Sequence, residues 1–178
     1  YQTEILSGTI AKLEKDRANN DKLGLVLDNR RVVYAKNIVS GYISHFSPNW
    51  LFITGDIARH HAPNMGLLYL FEFPFLLIGL YLLVFGNFDR KTKLLVLLWF
   101  LIAPIPASIT TGVPHAVRTL NFLPTFQIIT ALGIVSAFMY INKYKKTKWA
   151  FYIFASIVFI FNFSYYLNQY FVQLNYFD

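Results

Sequence analysis

Cysteine is absent from the 178 residues, so a disulfide framework, a thiolate metal site and a thiol nucleophile are excluded, and cysteine usage says nothing of redox compartment. Charge is scarce too. Only 14% of residues are Asp, Glu, Lys or Arg, against about 25% in an ordinary soluble domain, too few to cover a globule of this length with polar side chains. A Gly-rich phosphate loop, a Ser/His/Asp order and a paired-carboxylate motif are missing, and with them the common sequence signatures of nucleotide binding and of hydrolytic catalysis. The opening Tyr1-Gln2-Thr3-Glu4 has neither an initiator Met nor the charged and apolar regions of a signal peptide, so the chain reads as a piece of a longer polypeptide.

What is present is apolar and clustered. The chain is 56% hydrophobic and 19% aromatic, with a mean hydropathy of +0.43, which makes the lipid bilayer the expected partner of much of its surface. The net charge of +7 does not point to nucleic acid, because the basic residues stand in short groups beside apolar runs and not along one amphipathic face.

The composition shifts near Pro63-Asn64-Met65-Gly66, dividing the chain into a mixed, polar zone (residues 1–65) and a membrane-like zone (66–178). The fold class expected is all-α integral membrane: four transmembrane helices preceded by an extracytoplasmic loop region with an amphipathic helix. In the first zone, residues 5–13 predict a short helix and Asp16-Arg17-Ala18-Asn19-Asn20-Asp21 a loop. Val32, Val33, Ala35, Ile38, Val39, Tyr42, Ile43 and Phe46 recur at three-to-four spacing, the pattern of an amphipathic helix over about 30–46 that Ser47-Pro48 stops. Its apolar side needs a partner, either its own protein or the membrane surface.

The four spans are predicted at about 66–85, 94–109, 120–141 and 149–167, the twenty residues of the first being enough to cross a hydrocarbon layer of roughly 30 Å. Pro104 and Pro106 should break the end of the second. Asn162-Phe163-Ser164 fits the glycosylation pattern but lies inside the fourth span, so it should stay unmodified. Tyr69, Tyr81, Trp99, Tyr140, Trp149, Tyr165 and Tyr166 fall mostly near span ends, where aromatic rings anchor a helix in the interface. Arg90, Lys91 and Lys93 in one connection and Lys143, Lys145, Lys146 and Lys148 in another predict two cytoplasmic loops. Residues 1–65, the 110–118 loop and the tail then share the extracytoplasmic side of a multi-pass membrane protein.

That topology brings together Asp56, Arg59, His60 and His61 from one segment and His115 and Arg118 from another. Guanidinium groups bind phosphate oxygens in a planar, two-pronged way and imidazole can add a donor, so the pair of loops suits a lipid phosphate or pyrophosphate. The alternative is that these side chains only meet headgroups and cap helices. A metal site is disfavoured: adjacent His60 and His61 diverge by about 100° on a helix, and no HExxH-type spacing or Cys completes a zinc set. Glu72 is expected two turns into the first span, where a carboxylate is either a functional partner for Arg59, Arg118 or a His, or a structural link between helices. Pro74 should kink that span. Asp56 is expected to cap its own turn, with orientation of an Arg or His as the alternative.

Tyr42-Ile43-Ser44-His45-Phe46-Ser47-Pro48, then Gly55-Asp56, Arg59-His60, Pro63, Gly66, Leu68-Tyr69 and Glu72, and later Pro104-Ile105-Pro106-Ala107 with Pro114-His115-Ala116-Val117-Arg118, resemble bacterial multi-pass glycosyltransferases of the GT-C type, relatives of the protein O-mannosyltransferases and of the aminoarabinose transferase that modifies lipid A. The resemblance covers most of the chain and implies the C-terminal portion of an enzyme that moves a sugar from a polyprenyl-phosphate donor to an acceptor on the outer face of the membrane. It implies that Arg59, His60, His115 and Arg118 bind the donor phosphate, neutralising charge as the leaving phosphate develops it. His61 stands where relatives often have a small polar residue. The family's catalytic acidic residue lies in an early extracytoplasmic loop, for which this chain has no counterpart, and no cofactor is called for. Two other classes fit the same residues: a non-catalytic membrane protein, such as a transporter half or assembly subunit, with Glu72 and the prolines shaping a pathway, and a ligase or polymerase acting on lipid-linked glycans.

Overall fold

The long apolar runs become helices because a backbone in hydrocarbon must satisfy its own hydrogen bonds. The computed structural model describes residues 2–57, 62, 64–144 and 147–173, with side chains from residue 7 onward. Among the described residues the chain is all-helical, without a strand. Three helices precede the apolar zone: α1 (Gln2–Ala18), α2 (Lys22–Leu27) and α3 (Arg30–Ser44). The first differs from expectation, because α1 runs through Ala18 and leaves only residues 19–21 as its connection. α2 was not expected. Asp21 starts it by accepting the Leu23 and Gly24 amides at 3.0 Å each, satisfying two of the donors that a helix start leaves open. α3 matches the predicted amphipathic segment closely and is capped by Asn29, which accepts the Arg31 amide at 3.0 Å.

After a π-helical turn (Trp50–Thr54), the membrane-like zone contains α4 (Glu72–Phe85), α5 (Arg90–Ile102), α6 (Ile105–Ser108), a 3₁₀ segment (Val117–Phe122), α7 (Leu123–Ile141) and α8 (Thr147–Asn168). Among the described residues, three stretches are long and apolar enough to cross a membrane: Arg90–Ser108, Val117–Ile141 and Thr147–Gln173. The break expected at the prolines lies between α5 and α6, at residues 103–104. α4 is shorter, with 14 residues, about 21 Å at the α-helical rise.

The expected first span, 66–85, is thus helical only from Glu72. Residues 66–71 instead lie against the π-helical turn, with the Leu68 amide donating to the Leu51 carbonyl at 2.8 Å. Glu72 therefore occupies the first turn of α4, not a position two turns inside it, and Pro74 is third in the helix, where its missing N–H is one the helix would leave unpaired anyway.

The bundle is assembled on α4 and α7. Gly79 and Gly133 face each other, and each abuts the partner's carbonyl from one turn earlier: a Cβ on Gly79 would overlap the Ile129 carbonyl, and one on Gly133 the Phe75 carbonyl. The contact brings their backbones together as small residues do in lipid-embedded helix pairs, and the two helices run the same way, since Leu67, just before α4, and Leu123, at the start of α7, line one cavity. α5 returns between them in sequence. Its Trp99 indole donates to the Asn121 carbonyl at 2.9 Å, while Phe100 packs against Phe122 and Phe126, ring centroids 5.3 Å apart in both pairs. α8 runs back along the outside, with Phe138 stacked on Tyr152 at 5.3 Å and the Tyr165 hydroxyl donating to the Asn64 carbonyl at 2.9 Å. No residue of α8 is buried, and its exposed Ile153, Phe154, Ile157 and Phe161 suit contact with lipid.

These directions place the connections after α4 and α7 at one end of the bundle and α6 with the 110–118 loop at the other. α3 docks at that second end: it packs on α6, Gly41 is buried there, the Tyr42 hydroxyl donates to the Leu101 carbonyl at 2.9 Å, and Phe46 meets Phe100 and Phe122 at 5.3 and 5.2 Å. Its apolar stripe thus has a protein partner in part, while Val39 and Ile43 remain exposed.

The glycine contact is directly testable. Gly79→Leu or Gly133→Leu should force α4 and α7 apart and lower stability by about 3 kcal/mol or more, read as a fall in thermal midpoint in detergent. Gly8 on α1, which has open space around it, should accept Ala with a gain of up to about 1 kcal/mol.

Candidate functional site

The site is built where α3 ends. Between Tyr42 and Phe46, which face the bundle, the same side of the chain carries His45, 0% exposed. Its Nδ1 lies 2.7 Å from the Gly41 carbonyl, which can only accept, so Nδ1 holds the ring proton and Nε2 offers a lone pair. The backbone N–H of His115 donates to that lone pair at 3.4 Å. Trp50 stands edge-on to the imidazole, ring centroids 5.5 Å apart. Burial pushes the His45 pKa below its ordinary value, opposed by the Gly41 hydrogen bond; the nearby His115 lowers it further and Asp56 raises it. His45 is therefore neutral at pH 7.

A second element reaches the same loop. Gly55 closes the π-helical turn at φ 64°, a left-handed conformation that costs glycine little, and the reversal aims Asp56 back at residues 115–116. One carboxylate oxygen of Asp56 accepts the amide of its neighbour Ile57 at 2.8 Å. The other accepts the Ala116 amide at 2.7 Å and lies 3.7 Å from Nδ1 of His115, with side-chain exposures of 4% for Asp56 and 14% for His115. Two consecutive amides are thus fixed by side chains from two different segments. The Thr119 hydroxyl donates to the His115 carbonyl at 2.8 Å, tying the loop to the 3₁₀ segment.

Arg118 lies three residues beyond His115 and is exposed. One terminal nitrogen, Nη1, donates to the Thr110 hydroxyl at 2.7 Å and the Thr111 carbonyl at 2.6 Å. A guanidinium has five N–H donors in a planar fork, so these bonds hold the group in place and leave others for an anion. Beside it opens a mainly apolar cavity of about 230 Å³ lined by Trp50, Leu51, Leu67, Ala116, Val117 and Leu120, among others. The buried indole N–H of Trp50 has no hydrogen-bond acceptor among the described residues.

Of the residues expected to form a site, the structure brings Asp56, His115 and Arg118 into one neighbourhood. Asp56 does more than cap its own turn, since its second oxygen orients the His115 loop. Arg59, His60 and His61 lie outside the described residues. Glu72 is half-buried at the start of α4, and the Arg118 hydrogen bonds run to Thr110 and Thr111, not to this carboxylate. Among the described residues, no three His, Cys, Asp or Glu side chains gather closely enough to hold a metal ion.

Sequence reasoning missed His45, Thr110, Thr111 and Thr119 as members. The available signal for His45 was a polar residue between Tyr42 and Phe46 on the apolar stripe of α3. No family model, curated protein or solved structure matches the chain.

The Asp56 bond sets an expectation for this loop. Asp56→Ala leaves a partly buried amide unpaired at residue 116 and should cost about 1–3 kcal/mol, whereas Asp56→Asn keeps an oxygen acceptor there and should cost less. Thermal unfolding of the two variants in detergent checks this, and equal losses would show that the carboxylate oxygen is not what holds residue 116.

Proposed function

We propose that this chain is part of a bacterial membrane glycosyltransferase that moves a sugar from a polyprenyl-phosphate donor to an acceptor on the extracytoplasmic face of the inner membrane. The observation that supports this most is the loop carrying His115 and Arg118, held in place at one end of an apolar helical bundle beside an apolar cavity. A lipid phosphate needs cationic or N–H donors at the depth of the headgroup and apolar surface next to them, and this end of the bundle supplies both.

In this reading Arg118 and His115 receive the donor phosphate, joined by Arg59 and His60 from the segment that follows Asp56. Their charge opposes that of the phosphate as the bond to the sugar breaks. Asp56 positions His115, and His61 and Glu72 support the site from its margin. The acid or base that activates the acceptor comes from elsewhere in the enzyme.

The orientation rests on charge. Arg90, Lys91 and Lys93 at the start of α5, Lys143 just after α7 and Lys148 at the start of α8 lie at the end of the bundle away from His115, so the positive-inside tendency places that end in the cytoplasm. α4, extended by residues 64–71, then makes a fourth crossing, and residues 1–65 with the 110–118 loop face outward.

Two measurements bear on this. A charge-assisted hydrogen bond contributes about 1.5–3 kcal/mol, so Arg118→Ala and His115→Ala should each weaken binding of a polyprenyl phosphate in nanodiscs by roughly tenfold or more, while Arg90→Ala leaves it unchanged; full affinity in Arg118→Ala would reject the assignment. Because the chain has no cysteine, single cysteines at Thr111 and Lys93 can be labelled one at a time in intact cells. An impermeant maleimide should reach position 111 and not position 93, and the reverse would invert the topology.

A further inference from the structure

We propose that His45 is a positioning residue that latches the 113–118 loop, and that protonating its Nε2 releases the latch, so that acid withdraws the order of the loop presenting His115 and Arg118. The latch itself follows from the hydrogen bonds, while its relevance to a donor lipid rests on the function proposed above.

The argument begins with tautomer. Because Nδ1 donates to the Gly41 carbonyl at 2.7 Å, the neutral ring has only Nε2 with which to accept the His115 amide at 3.4 Å. A proton on Nε2 removes that lone pair and sets two N–H groups against each other. The ring is wholly buried, so no water stands ready to take over the bond to residue 115. Asp56 would then hold the loop alone through the Ala116 amide.

The charged and titratable groups around His45 are few among the described residues. The 55–57 turn contributes Asp56, whose negative charge favours protonation. The loop contributes His115, which opposes it, and Arg118, whose guanidinium is turned to Thr110 and Thr111. The π-helical turn contributes Trp50, which has no proton to exchange in this range, and on α3 itself the nearest titratable group, Tyr42, donates to Leu101. The His115 ring lies on the Asp56 side of the loop, 3.7 Å from Oδ2, and the bond to His45 runs to the backbone N–H of His115 and not to its imidazole.

The sign follows from burial. A histidine whose folded pKa lies below its unfolded one stabilises the fold fully above the ordinary value of 6.5, and that contribution is lost as pH falls below it through the lowered folded value. The latch is closed at neutral pH and opens on acidification.

Hydrogen–deuterium exchange of the whole chain in nanodiscs without added donor lipid tests this, with protection of the 113–118 amides corrected for intrinsic exchange and compared between pH 8 and pH 5. Wild-type protection of the His115 amide should fall at least tenfold in acid, while the amides of α7 stay protected. His45→Gln, whose side-chain oxygen accepts at the ε position and does not titrate, should keep protection at both pH values, and His45→Ala should lose it at both. Should these variants fail to fold, ¹⁵N-histidine spectra of the wild type carry the test: at pH 8 His45 must show a protonated Nδ1 and a bare Nε2. Wild-type protection independent of pH, an acid loss undiminished in His45→Gln, or the opposite tautomer would each overturn the proposal. Since the readout needs no donor lipid, failure of polyprenyl-phosphate binding bears on the proposed function and not on the latch.

Discussion

The contact between Gly79 and Gly133 is the constraint on which the rest of the arrangement depends. With no side chain on either, α4 and α7 meet backbone to backbone, each glycine against the partner's carbonyl from one turn earlier. In lipid there is little hydrophobic gain from joining two apolar helices, so close packing has to supply the attraction. The two helices also run in the same direction. Two helices running the same way cannot be joined by a short turn, and the intervening chain has to cross back as α5, pause at the prolines, and form the 110–118 loop at the end from which α7 starts.

That loop is then accessible to α3. Phe46 enters the cluster of Phe100, Phe122 and Phe126, which seats the end of α3 and with it His45. The reversal at Gly55 carries Asp56 to the same place from the other side. Two neighbouring amides of the loop are held by two side chains of different chemistry, one a neutral imidazole and the other a carboxylate. A hydrogen bond to a charged group is the stronger of the two, so the carboxylate is the firmer anchor and the imidazole the one that pH can alter. Arg118, tied by one nitrogen to Thr110 and Thr111, is held in place before any anion arrives, which reduces the ordering cost of binding.

Several elements were legible without coordinates because their signals are local. The three-to-four spacing of α3, the break at Pro104, and the apolar lengths of the three long helices each follow from a few neighbouring residues. Glu72 shows where this fails. Apolar composition continues without a step from Gly66 into α4, yet the Leu68 amide donates to the Leu51 carbonyl, seventeen residues earlier in the chain, a pairing that no local pattern identifies. α2 was missed for a smaller reason: it has only six residues, and its single strong cue, Asp21, sits in a run that also reads as a loop.

The sequence by itself determined that this is a helical protein made for lipid, with its charge gathered in short connections and its Arg and His residues in turns, because hydropathy, helix period and proline breaks are properties of short windows. Only the tertiary structure decided which of those residues meet. His45 looks like one more residue in an amphipathic stripe until the fold brings His115, seventy positions away, onto its Nε2. Asp56 looks like a turn cap until the amide of Ala116 reaches it. Such pairings depend on the direction in which α4 and α7 pack, and two glycines separated by more than fifty residues carry no mark in the sequence that they belong together.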